Sequence, residues 1–342
     1  MDNTQEEPRA ATAIGWLSAW AAAATGPDGF WRTHRVGGQF RTASGSQLLA
    51  EAIGALIGCR PEIEAVVEVG AGDAALLTRL RSAMPALRFA AVELRPGPNG
   101  QSGVDWRIGH WDVKQCRWRG PAAGLFEDLD RPTMIICAEW LDELPCPVAS
   151  WDGTMWRELL VRPDGSESVG GRLQPADDDW LHRWWPSPAV GTRAECGLSR
   201  DLAWSAMITS LRATGGLALM IDYGHTRDDR PYAGSLTGYA DGRQVVARPD
   251  PMINLTAHVA IDAVAAAGER SGAITEFMID QRTALGRFLP EPDVDPRPGP
   301  LGRLQRASEL RMLTDTLGHH RWLLQSINLP SPTSTCQREE AL

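Results

Sequence analysis

The chain has 342 residues, is 43% hydrophobic and 23% charged, and carries a formal net charge of −9. That balance is ordinary for a globular protein, and its sign argues against a nonspecific nucleic-acid binder. Lys114 is the single lysine and lies in no Gly-Lys-Ser/Thr sequence, so a phosphate loop is excluded and Schiff-base chemistry has one candidate.

The first ten residues, MDNTQEEPRA, are polar and acidic, unlike a signal peptide, and are expected to be disordered. Residues 11–25 read as an alanine-rich helix with Ile14, Leu17 and Trp20 on one face. The stretch AIGWLSAWAAAA within it is the longest apolar run and is too short to span a bilayer, so no membrane partner is expected. Ser46 is placed to cap a helix over 47–57. Then comes AVVEVGAGD at 65–73, an apolar run followed by two closely spaced glycines and a helical pattern over about 74–83. Strand, tight glycine turn and helix is the nucleotide-binding start of an α/β fold.

A second apolar run, 88–93, ends in Glu93, about 20 residues beyond the glycines, where an acid can accept hydrogen bonds from ribose hydroxyls. Gly70, Gly72 and Ala75 formally satisfy a dinucleotide fingerprint, which leaves NAD as one reading. Glu68 and Asp73 bracket the turn, however, and two carboxylates repel a pyrophosphate. They suit a ligand with positive charge, such as the sulfonium and ammonium of S-adenosylmethionine. His110 and Trp111, in VDWRIGHWDV, are candidates to sit by the adenine, although an aromatic there can equally be core.

TMIICA at 133–138 is continuous and apolar, as a strand buried on both faces should be. Glu139, Asp142 and Glu143 follow; the first two are candidate catalytic acids, and Glu143 is expected to face solvent. VASWDGTMWRELLV carries a hairpin signal at Asp152-Gly153. Residues 162–197 read as irregular and Trp-rich, an insertion covering the active-site face. A helix over 198–213 ends at Gly215-Gly216, and the strand LALMIDYG ends in Asp222, a third candidate polar anchor. His258 could be a base, yet a lone histidine is more often structural. A helix ended by Gly268, a strand at 273–279, helices over 281–289 and 302–317, and a last strand at 321–327 complete the chain.

Strands alternating with helices imply a mostly parallel sheet covered on both faces, with ligands beyond the carboxyl ends of the strands. The domains expected are an N-terminal helical segment with a cofactor-covering loop (1–60), a core in two parts (61–145 and 198–328), a hairpin and Trp-rich insertion (146–197) and a tail (329–342). The six cysteines form no CxxC and match no zinc spacing, so no metal is expected and a reduced, cytoplasmic compartment fits.

GGQFRTAS at 37–44, EVGAGDAALL at 68–77, AEWLDELPC at 138–146, WREL at 156–159, IDYG at 221–224 and NLTAHV at 254–259 occur here in the order of a known family. On these segments the chain resembles the MidA-like S-adenosylmethionine-dependent methyltransferases from about Phe30 to Ile327, relatives of a mitochondrial assembly factor that methylates an arginine of respiratory complex I. The resemblance implies a Rossmann-like, seven-stranded class I methyltransferase sheet, an S-adenosyl-L-methionine cofactor and a protein substrate methylated on arginine. It implies that Glu68, Gly70 and Gly72 line the methionine side and Glu93 the ribose. Phe40 and Thr42 would belong to a segment closing over the cofactor, and Glu139 and Asp142 to the catalytic centre. A factor that binds the cofactor without turning it over is the alternative. Three positions depart from the family pattern: Ala74 stands for its third glycine, Ala138 for an asparagine and Asn254 for an aspartate. Ala74 is tolerable there if its φ is negative.

Overall fold

The computed structural model describes residues 12–34, 45–98, 103–289 and 299–330. Phe40 and Thr42 lie outside the described residues. Seven strands form the central sheet: β1 (Ala65–Val69), β2 (Arg88–Glu93), β3 (Asp105–Ile108), β4 (Thr133–Ala138), β5 (Gly216–Asp222), β6 (Ile274–Asp280) and β7 (Arg321–Ile327). Their spatial order is β6-β7-β5-β4-β1-β2-β3. The pairs from β5 to β3 are parallel, and β7 runs antiparallel to both β5 and β6. Every residue of β1, β4 and β5 is buried, which is why these strands read as continuous apolar runs rather than alternating ones.

Two hydrophobic layers sandwich the sheet. One holds Leu48, Ile53, Leu76, Leu77, Leu285 and Phe288, from helices Gln47–Gly58, Ala75–Ala83 and Gln281–Phe288. The other holds Phe126, Trp204, Met207 and Val264, from helices Pro121–Glu127, Leu198–Ser210 and Ile261–Arg270. Ser46 accepts a hydrogen bond from the Leu49 amide, so the expected cap is present.

The segment expected to be irregular is regular. Val148–Trp151 and Trp156–Val161 form the hairpin, joined by Glu167–Arg172, Arg193–Glu195 and the short N-terminal strand Ile14–Gly15. Helix Pro175–Trp184 fills the rest. Trp156, Trp180, Trp184 and Trp185 are buried in one cluster with Cys196 and Ala263, so the tryptophans pack the insertion against the core. Gly268 does not end its helix, which continues to Arg270. A Cβ at Gly268 would lie 1.7 Å from Gln325 Oε1, so this glycine serves the close approach of helix and β7. The last helix runs over Pro300–Arg311 and widens into a π turn over Met312–Thr316. No helix among the described residues is long and apolar enough to cross a membrane.

Candidate active site

A cavity of about 750 Å³ opens beyond the carboxyl ends of β1, β2 and β4. Its floor is the glycine turn. Gly70 and Gly72 have φ of +72° and +57°, and among the described residues a Cβ on Gly72 would meet nothing within 4 Å. Asp73 lines the cavity and accepts from the Ala75 amide. Ala74 has φ +58°, which removes the condition of a negative φ. An L-residue there carries a strain of about 1–2 kcal/mol, in part offset by a fully buried methyl group.

Glu93 lines the cavity and is bound to the turn. Its Oε2 accepts from the Gly72 amide at 2.9 Å and its Oε1 from the Leu94 amide at 3.0 Å. Glu68 is placed differently from the expectation. It is buried, is not among the lining residues and sits beneath the turn, with no hydrogen-bond partner for Oε2 among the described residues. Strand alternation explains this: Val66 and Glu68 point into the layer of helices 47–58 and 75–83, so Glu68 looks sideways under the helix start. Burial lifts its pKa to about 8; the Leu77 amide opposes the shift, and the charges of Asp73 and Glu93 add to it.

His110 lines the cavity, and burial lowers its pKa. Trp111 also reaches the cavity wall, but its Nε1 donates to Ser199 Oγ at 3.2 Å and its ring belongs to the core. Trp31 lines the cavity too, and beside it stand Trp118 and Trp140, stacked with centroids 5.6 Å apart and planes 11° apart. Trp140 lies over Gly70, where a Cβ would be 2.6 Å from its Cδ1. Helix 300–311 closes the opposite side with Gln305, Ser308 and Glu309. The Glu309 carboxylate accepts from Ser46 Oγ and the Gln47 amide, both at 2.6 Å, so this helix is tied to the start of helix 47–58. No residue of 146–197 lines the cavity; the insertion stands beside it.

Beyond β4 the chain turns through Glu139, whose φ is +51° and whose amide donates to the Ile221 carbonyl at 2.8 Å. Glu139 and Glu143 line the cavity. Glu143 therefore does not face solvent, and burial raises its pKa well above the usual carboxylate range. Asn254 Nδ2 donates to Glu143 Oε1 at 3.3 Å. An aspartate at 254 would set a second carboxylate there, so the amide compensates the acid it faces.

Asp142 and Asp222 are buried behind this wall and do not line the cavity. Asp222 Oδ2 accepts from the Leu141 and Asp142 amides at 3.0 and 3.2 Å, and its Oδ1 from the Tyr223 amide at 2.8 Å. It fixes the turn that carries the two glutamates. Asp142 takes the Thr256 hydroxyl. Burial raises both pKa values, and the charge of Asp142 adds to the shift at Asp222. Arg200 completes the frame. Its buried guanidinium donates to the carbonyls of Asp142 (2.8 Å), Leu144 (3.0 and 3.1 Å), Ala257 (2.9 Å) and His258 (3.2 Å). Nothing in the sequence marks it, because its hydrogen-bond partners are all backbone atoms. Trp140 and Glu143, by contrast, sit inside the EWLDE segment, where their neighbours point to them.

Among the described residues the cavity wall carries Asp73, Glu93, Asp112, Glu139, Glu143 and Glu309, against the ammonium of Lys114. Such a lining favours a cation and disfavours a pyrophosphate. The glycine turn, the acid at the end of β2 and the stacked indoles fit an adenosine carrying a sulfonium. Among the described residues no group of three or more His, Cys, Asp or Glu is placed to hold a metal.

Residues 55–278 match the model of a family described as "Putative S-adenosyl-L-methionine-dependent methyltransferase". Two crystal structures from Burkholderia thailandensis, of one superfamily, share the fold. One, bound to S-adenosyl-homocysteine, has 17% identity, a TM-score of 0.71 and coverage of 95% of this chain and 91% of its own. The other, a native structure of an uncharacterized protein, has 17% identity, a TM-score of 0.69 and coverage of 93% and 88%. At that identity the likeness establishes the fold. No curated protein matches the sequence.

Proposed function

Because the chain belongs to the family of S-adenosyl-L-methionine-dependent methyltransferases, we propose that it methylates a cationic nitrogen on a protein side chain, arginine by the resemblance noted above. One observation carries the reading: Glu139 and Glu143 line the same cavity as the glycine turn. Bound on that turn, the cofactor supplies a methyl group made electrophilic by its sulfonium. Gly70, Gly72 and Glu93 would hold it, with Trp118 and Trp140 packed alongside.

The remaining work falls to the chain's own carboxylates. A guanidinium or ammonium entering the cavity meets Glu139 and Glu143, which orient it by charge-assisted hydrogen bonds. Asn254 keeps Glu143 in place, and Asp222 with Arg200 fixes the turn from which both glutamates project. Much of the rate gain in such a transfer comes from alignment, so a rigid turn matters as much as charge. Ala138, on the cavity wall, leaves space where the family has an amide.

The test is transfer of labelled methyl from S-adenosylmethionine into a cell lysate, followed by identification of the labelled species. A labelled protein whose signal is lost with Glu139→Gln supports the reading. Label confined to small molecules would refute the protein acceptor. Calorimetric binding of NAD without binding of S-adenosylhomocysteine would refute the cofactor assignment.

A further inference from the structure

His320 immediately precedes β7 and is fully buried. Since β7 runs antiparallel, its start lies at the end of the sheet where the parallel strands finish, with Arg321 opposite Asp222. His320 Nδ1 is 2.7 Å from the Leu317 carbonyl oxygen. A carbonyl only accepts, so the ring proton is on Nδ1 and Nε2 carries a lone pair. Among the described residues Nε2 has no hydrogen-bond partner, and it faces Glu139 Oε1 at 3.8 Å. The Tyr223 ring covers the imidazole with centroids 3.9 Å apart. Burial lowers the His320 pKa to about 4, the Leu317 carbonyl opposes this, and His258 and His319 are the other titratable groups acting on it.

Two acceptors thus face one another inside the protein, one of them on the wall where the acceptor nitrogen would enter. We propose that His320 is a positioning residue that, acting through Glu139, takes up the proton an acceptor nitrogen gives up on methylation. The proposal rests on Glu139 meeting the acceptor, as proposed above. A cationic nitrogen must free a lone pair to react. Its proton passes to the Glu139 carboxylate and from there to His320 Nε2. The freed lone pair forms the N–CH3 bond while the S–CH3 bond breaks with its electron pair going to sulfur. The products are the methylated nitrogen, the thioether and one proton on the Glu139–His320 pair, which then exchanges with solvent. The imidazolium has a partner at each nitrogen, the Leu317 carbonyl and the Glu139 carboxylate. Among the described residues the neutral ring has a partner only at Nδ1.

Nuclear magnetic resonance of isotope-labelled histidines tests the pair without any substrate. In the full chain saturated with S-adenosylhomocysteine, His320 should show the Nδ1–H tautomer. Its titration midpoint should fall by about one pH unit or more in Glu139→Gln, because a nearby carboxylate favours the imidazolium. An Nε2–H tautomer, or an unchanged midpoint, overturns the proposal. In labelled-methyl transfer, His320→Asn keeps a donor for the Leu317 carbonyl and removes Nε2, while His320→Gln keeps a polar atom there that cannot titrate. Both should bind S-adenosylhomocysteine as the parent does and lose about 10-fold or more in transfer at neutral pH, with the deficit shrinking as pH rises. Parental activity across the pH range in either folded variant overturns it. Absence of any methyl transfer by the parent protein would instead refute the functional reading, and the resonance data would still decide whether the pair exists.

Discussion

Gly70 and Gly72 stand two residues apart in one turn and both have positive φ, yet alanine should affect them differently. At either site an L-residue adopts a left-handed backbone, which costs about 1–2 kcal/mol. The loss of unfolded-chain entropy on replacing glycine is common to both and cancels in the comparison. The difference is Trp140. A Cβ at residue 70 would lie 2.6 Å from Trp140 Cδ1 and 3.1 Å from its Cγ, whereas at residue 72 it meets nothing within 4 Å among the described residues. The indole has little room to retreat, because it stacks on Trp118, which stacks in turn on Phe126 with centroids 4.5 Å apart. Overpacking of this kind costs about 1–3 kcal/mol. Gly70→Ala should therefore lower unfolding stability by about 2–5 kcal/mol and Gly72→Ala by about 1–2 kcal/mol. Urea unfolding followed by tryptophan fluorescence measures both. Titration with S-adenosylhomocysteine should show weakened binding in each, since both residues line the cavity. Equal destabilisation of the two variants would refute the claim that Trp140 is held rigidly over the turn.

Glu68 makes stability depend on pH. Its folded pKa, about 8, lies above the unfolded value of 4.5, so its contribution is complete below 4.5 and is lost as pH rises towards 8. The slope should approach 1.4 kcal/mol per pH unit, and Glu68→Gln should flatten it in denaturation curves taken between pH 5 and 8, at about these limits. Arg200→Lys cannot reach all the carbonyls that the guanidinium holds and should cost about 2–4 kcal/mol; a loss under about 0.5 kcal/mol in thermal unfolding would show that the turn supports itself. Asn254→Asp places a second carboxylate beside Glu143, whose pKa burial has already raised. The variant should melt lower than the parent, by a margin that widens from pH 6 to pH 8, and an identical melting curve would refute the pairing.

Much of the sheet was legible along the chain, because buried parallel strands are continuous apolar runs and 65–69, 88–93 and 133–138 coincide with β1, β2 and β4. The Trp-rich segment was not, since its strand 167–172 buries no residue and shows no apolar pattern, and its strand 193–195 is only three residues long. Gly268 misled for a related reason: a glycine required by a neighbouring side chain looks the same in sequence as a glycine that ends a helix.

The chain by itself determined the glycine turn, the acid at the end of β2 and the acids after β4, because each is local chemistry at a strand end. Only the tertiary structure decided which carboxylates face the cavity. Glu68, one residue from the turn's neighbour Val69, is turned under the helix by strand alternation. Asp222 and Asp142 are withdrawn into the frame, while Glu143 comes forward to the wall. Only the antiparallel course of β7 brings His320 to Glu139. A strand's direction and the face a side chain takes follow from packing between distant segments, and residue spacing does not encode that.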